Sequence, residues 1–73
     1  MIEVMLKKHG KVILHEICSD VQFLHQIRYR LLPGEKGKGI WTKLLLDHDI
    51  PKEKRKYYIY TLKDGSIMAC RYV

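Results

Sequence analysis

Residues 40–51, IWTKLLLDHDIP, decide between two folds for this chain. As a strand, Trp41 and Lys43 oppose Ile40, Thr42 and Leu44; as a helix, Trp41, Leu44, Leu45 and His48 share a face. Period alone does not arbitrate so short an apolar run. Ile-Trp-Thr favours extended backbone and Pro51 follows soon after, so the expectation is a strand entering an antiparallel sheet. A helix over 40–47 is the alternative.

Upstream, GEKGKG (34–39) holds three glycines in six residues and no apolar anchor, which predicts a flexible basic connector. Its Gly-Lys-Gly lacks the spacing of a phosphate-cradling P-loop. Before it, SDVQFLHQIRYRLLPG (19–34) predicts a helix. Ser19 and Gln22 can form a capping box, Asp20 suits the positive end of the helix dipole, and Pro33-Gly34 is the expected stop. The apolar stripe is Val21, Leu24, Ile27 and Leu31, with Phe23 and Leu32 at its margins; Arg28 and Arg30 fall near opposite edges.

The chain opens on two apolar runs around His9-Gly10, the signature of a two-residue hairpin turn. That turn pairs Lys8 with Lys11, Leu6 with Ile13, Val4 with His15 and Ile2 with Ile17, giving a core face of Ile2, Val4, Leu6, Ile13 and Ile17. It also sets Glu3 against Glu16, a mild like-charge conflict that a shifted register or longer loop would remove. Asp64-Gly65 signals a second hairpin, with Leu62 opposite Ile67, Tyr60 opposite Ala69, Tyr58 opposite Arg71 and Tyr57 opposite Tyr72. The expected fold is one small α+β domain over residues 1–73, an antiparallel sheet built from two hairpins in the order β-β-α-β-β-β with one helix on one face.

Fourteen Lys and Arg against eight Asp and Glu leave a formal charge of +6, which favours anionic partners. Residues 1–36 carry six basic and four acidic side chains, and residues 37–73 carry eight and four, so the second half is the expected anion-facing half. No apolar run approaches the roughly 18 residues of a membrane helix, and no leader pattern opens the chain, so no membrane contact and a cytoplasmic location are expected. Cys18 and Cys70 are expected as reduced thiols.

KEKRKYYIY (52–60) combines cations with aromatic rings, which is what a groove for single-stranded nucleic acid needs. The expected function is a non-enzymatic nucleic-acid-binding module or regulator. Its candidate residues are Lys52, Lys54, Arg55, Lys56, Tyr58, Tyr60, Arg71, Lys36 and Lys38, taking phosphates on the cations and bases on the tyrosines. In the bland reading the same cations are a solvated turn and the tyrosines pack the core.

The rival is a protein-interaction module, an inhibitor or homodimer, that covers an edge left open at the terminal hairpin through Tyr57, Tyr72 and Val73. An acidic protein would then be the partner. A small metal-independent ribonuclease is a third reading, since His, Arg, Lys, Glu and Tyr are all present and His48 lies between two aspartates; no catalytic residue is assigned. His15-x-x-Cys18 is a usable zinc spacing without a second doublet, so neither metal nor cofactor is expected. Cys18 ahead of a helix amino terminus is weighed as a nucleophile, but no histidine is fixed beside it by the local sequence.

Overall fold

The computed structural model describes all of residues 1–73. Strands β1 (Ile2–Lys8) and β2 (Lys11–Cys18) form the first hairpin; helices α1 (Asp20–Ile27) and α2 (Gly37–Leu46) follow. Two short 3-10 turns (Asp47–Asp49 and Lys52–Lys54) lead to strands β3 (Tyr58–Thr61) and β4 (Ile67–Tyr72). The four strands make one antiparallel sheet in the order β2-β1-β4-β3, so the α+β class and the two hairpins are as expected.

Residues 40–47 are helical, and the expected strand there is absent. Ile40 and Leu44, one turn apart, are both buried in the core, with Trp41 packed beside them. Burying two such side chains contributes about 1.5–3 kcal/mol each, against a few tenths per residue lost to the poor helix propensity of Ile, Trp and Thr. The helix begins at Gly37, so half of the expected connector is its first turn.

The α1 capping box forms, with Ser19 Oγ accepting from Gln22 N–H and Gln22 Oε1 accepting from Ser19 N–H. The helix ends at Ile27, short of the expected stop at Pro33. Its buried stripe is also rotated: Phe23 and Ile27 face the core and Val21 is exposed, because burying the Phe ring removes more apolar area from water than burying Val21 would. Both helices cover the same sheet face, α1 approaching β1 and α2 approaching β4. Between them and the sheet lie Ile2, Val4, Leu6, Cys18, Met68 and Cys70.

Both hairpins contain one residue more than the simple turns allow. The first keeps the two-residue turn, with His9 at φ +53 and Gly10 at φ +77, and pairs Lys8 with Lys11. A bulge then lets Val12 and Ile13 together oppose Lys7, so Leu6 meets Leu14 and Ile2 meets Cys18. Ile13 and Ile17, expected in the core, are therefore exposed on the far face, and the Glu3–Glu16 conflict disappears because Glu3 now opposes Ile17.

In the second hairpin only Gly65 has positive φ, and Leu62 N–H donates to Ser66 O at 2.8 Å. The loop is thus three residues long, and Tyr60 opposes Met68 rather than Ala69. Asp64 Oδ1 fixes this loop by accepting from the Ser66 amide at 2.9 Å and from its hydroxyl.

β4 is central, since it pairs with β1 along its whole length. The edge expected at the chain's end is therefore occupied; the free edges are β2 and β3. No helix is long and apolar enough to cross a membrane.

Two glycines of α2 separate propensity from packing. A Cβ on Gly37 would lie 3.0 Å from Ile27 Cδ1, whereas one on Gly39 meets nothing within 4 Å. Gly39→Ala is expected to stabilise the fold by about 0.5–1 kcal/mol, while Gly37→Ala gains nothing or destabilises as Ile27 is pushed aside. Paired thermal melts check this; equal gains at the two sites would contradict the close approach of α1 and α2.

Candidate nucleic-acid interface

The cations and tyrosines of residues 52–60 do not form one continuous surface. Lys52 and Lys54 lie on the second 3-10 turn and point, with Lys56, into solvent. Arg55 does not. Its Nε donates to Ile50 O at 2.7 Å, one terminal nitrogen to Tyr72 O at 3.0 Å and the other to His48 O at 3.1 Å. The guanidinium also lies 5.3 Å from the centre of the Tyr72 ring. A planar fork that satisfies three carbonyls is a structural clasp holding the segment after α2 to the end of β4, so Arg55 leaves the list of phosphate contacts.

Arg71 leaves it for a similar reason. On the sheet face opposite the helices, its Nε donates to Glu3 Oε1 at 2.6 Å and its guanidinium stacks 4.7 Å from the Tyr57 ring centre. The Tyr57 hydroxyl donates to the same oxygen at 2.9 Å, and His15 Nε2 lies 2.7 Å from Oε2. Glu3 is buried on a face that no other element covers, because these three side chains roof it over. Burial opposes its ionisation, but the hydrogen bonds from His15, Tyr57 and Arg71 and the Arg71 charge outweigh it and hold the carboxyl at about 2.

The cluster gathers the Glu, His, Arg and Tyr of the ribonuclease reading, yet both carboxylate oxygens are engaged within the protein. A carboxylate so stabilised is a weak base at neutral pH. Its chemistry is that of a lock across β2, β1, β4 and the approach to β3.

Tyr58 and Tyr60 point to the helix side, each half-buried. The Tyr58 hydroxyl donates to Asp47 Oδ1 at 3.1 Å, and Tyr60 packs against the core and shares a hollow with Gly39, Ile40 and Lys43 of α2. Neither presents an open ring face, which corrects the expected stacking platform. Each instead lines a hollow at the β3 edge.

One hollow, of about 330 Å3, joins Tyr60 to Lys36 and Lys43 with Glu35 on its wall; the other, of about 450 Å3, joins Tyr58 and Tyr57 to Lys54 and Lys56 with Asp47, the partner of the Tyr58 hydroxyl, on its wall. Lys36 is the residue preceding α2, and Lys38 sits in its first turn, exposed, with no acidic residue there to offset them at the positive end of the dipole. A strand over 40–47 would not bring Lys43 to Lys36, so only the helix makes Lys43 part of this hollow. On a helix, Lys36 and Lys43 are seven residues apart and share a face, a signal present once the period is known.

The three expected interaction residues do not share a surface. Tyr57 stands on the open face, Tyr72 sits by Arg55 and 6.3 Å from the His48 ring, and the Val73 amide donates to Met1 O at 2.9 Å, continuing the central ladder. His15 and Cys18 face opposite sides of the sheet, so their spacing does not make a ligand pair. Both thiols are buried and free; burial raises the Cys18 pKa and pushes that of Cys70 up to about 12, the reverse of an activated nucleophile.

Two outcomes follow for stability. Glu3 is ionised more readily in the folded than in the unfolded chain, so its contribution is fully present above pH 4.5 and fades as pH falls towards 2. Glu3→Gln is expected to cost on the order of 2 kcal/mol at neutral pH, with the gap to wild type closing over that acid window. Urea unfolding at stepped pH measures both, and a gap independent of pH would refute the assignment. Arg55→Lys is expected to unfold at lower temperature, losing about 1–3 kcal/mol, because an ammonium cannot reach three divergent carbonyls.

No family model, curated protein or solved structure matches this chain.

Proposed function

We propose that this protein is a non-enzymatic module that binds single-stranded nucleic acid along the β3 edge. The observation that carries the reading is the pair of hollows flanking that edge, each lined by a half-buried tyrosine and two lysines. Tyr58 and Tyr60 are two residues apart on one strand and so about 6.6 Å apart, and the lysines bracket them from α2 on one side and from the 52–56 segment on the other. A flexible strand can lay its phosphates on the cations and set a sugar or base against each tyrosine edge.

The formal +6 supports the same reading, with Lys36, Lys43, Lys54 and Lys56 exposed beside the two hollows and Lys38 and Lys52 exposed on the same segments. An acidic protein would answer the charge equally well. The presence in both hollows of two lysines beside a tyrosine, in excess of the one carboxylate each contains, is what favours a polymer of phosphates and rings.

Four phosphate contacts predict a log–log salt slope near −2.8 for a single strand, so raising salt from about 50 to 200 mM should weaken binding roughly 50-fold. Replacing Lys54 and Lys56 with Ala, or Lys36 and Lys43 with Ala, should each flatten the slope by about 1.4. Fluorescence anisotropy with a labelled oligonucleotide reads both. Absence of binding at low salt, or a slope untouched by all four substitutions, would end this reading.

A further inference from the structure

The sheet has two faces, and only one is covered. On the other, Val12, Ile13, Ile17, Ile59 and Ile67 are all exposed, Ile17 at 59% and Ile59 at 60%, around the half-buried Met5 and Ala69. A cluster of β-branched side chains held in water by a rigid sheet marks a contact surface. The one-residue shifts place Ile13, Ile17 and Ile59 there: the first bulge turns Ile13 and Ile17 to the open side, and the three-residue loop pairs Ile59 with Ala69 instead of the buried Cys70.

We propose that this face binds a second copy of the same chain, sheet against sheet. Its charge points to that occupant. Although the chain carries +6, the face does not: Glu3 and Arg71 neutralise each other, and Lys7 is its one unpaired Lys, Arg, Asp or Glu. An acidic protein or a nucleic acid would find almost no cations here, whereas a largely apolar surface like the face itself has only Lys7 to accommodate.

Shape points the same way. On the β2 side Ile13 and Ile17 stand out on either side of His15, and on the β3 side a hollow of about 380 Å3 opens between Met5, Lys7, Tyr57, Ile59, Ile67 and Ala69. A two-fold axis running along the strands, midway between β1 and β4 and between the two copies, lays β2 of each copy over β3 of the other, with Ile17 at the Tyr57 end of the hollow, His15 over Ile59 and Ile13 at the Thr61–Ile67 end. The contact is isologous and closes at two. Because Glu3 and Arg71 are rung partners on the two strands nearest that axis, the same operation sets Arg71 of each copy over Glu3 of the other.

Four strands about 4.8 Å apart and four to eight residues long give a face of roughly 400 Å2 in projection, the size of a small, reversible interface rather than a permanent one. Repulsion between two cationic copies opposes this contact at long range, so the dimer has a distinctive salt response: it tightens as salt screens that repulsion. Nucleic-acid binding responds in the opposite sense, and the two proposals stand or fall separately.

Sedimentation of the full chain over a concentration series at about 50 and 500 mM salt provides the test. The expected result is a monomer–dimer equilibrium whose dimer fraction rises with salt. Ile17→Asp and Ile59→Asp should each weaken it by about tenfold or more, since an unpaired carboxylate would enter the contact. Val21→Asp makes the same change of charge at a site 65% exposed on α1, the helix side, and should leave the equilibrium within about twofold.

All three positions are exposed and the variants should retain the wild-type far-ultraviolet spectrum; Ile17→Asp would set a carboxylate opposite Glu3 and lower that variant's melt, so Ile59→Asp, which should melt as wild type, carries the test. A protein that stays monomeric at every concentration in high salt overturns the proposal. So does association that loosens with salt, or that Val21→Asp disrupts as much as Ile59→Asp.

Discussion

The pairing of β1 with β4 is the constraint on which the rest of the molecule depends. Six rungs, from Ile2–Tyr72 to Lys7–Ile67, join segments at opposite ends of the sequence and turn two separate hairpins into one sheet. Neither hairpin has a sufficient core alone, since two-stranded ribbons are marginal in water. Joined, they offer α1 and α2 a continuous apolar surface from Leu14 to Tyr60. The Glu3–Arg71 bond sits on one of these rungs, and Tyr57 and His15 bind the same carboxylate from the flanking segments. A charge that would be costly in isolation is stabilised because four parts of the chain converge on it.

Local chemistry was legible in the sequence where a few adjacent residues settle it. His9-Gly10 made its turn, Ser19 and Gln22 made their box, and Asp64-Gly65 marked a reversal. What the sequence did not reveal was how many residues each reversal spends. The bulge at Val12–Ile13 and the third loop residue before Ser66 have no compositional flag, and in a period-two structure one residue inverts which side chains meet the core. The Glu3–Glu16 conflict was the visible hint in the first hairpin, and the bulge is how the chain removes it. In residues 40–47, local β-preference was overridden by burial of Ile40 and Leu44, a competition that only tertiary packing decides.

The candidate site was legible as charge and not as geometry. Lys54, Lys56, Lys36 and the two tyrosines do gather at one edge, but Arg55 and Arg71 are spent on carbonyls and on Glu3. Sequence cannot distinguish a free guanidinium from one employed in the fold, because the partners are distant: Tyr72 for Arg55, Glu3 for Arg71. Formal charge thus overstates what is available to a ligand, and sorts it: lysines remain in solvent while two of the arginines become scaffold. This division follows from chemistry, since a planar fork matches several fixed acceptors and a hydrated ammonium does not.

The place of β4 in the sheet bears on how the chain is made. Synthesis proceeds from the amino end, so β1 emerges first and its central neighbour last. Until β4 arrives, the first hairpin carries Ile2, Val4 and Leu6 beside a strand edge whose partner does not yet exist. Helices can form in the meantime but have only half a sheet to pack against. Folding is therefore a late, concerted closure with large sequence separation, slow relative to local hairpin formation. A nascent chain of this design is exposed to misassociation along β1 until β4 docks there and joins the two hairpins.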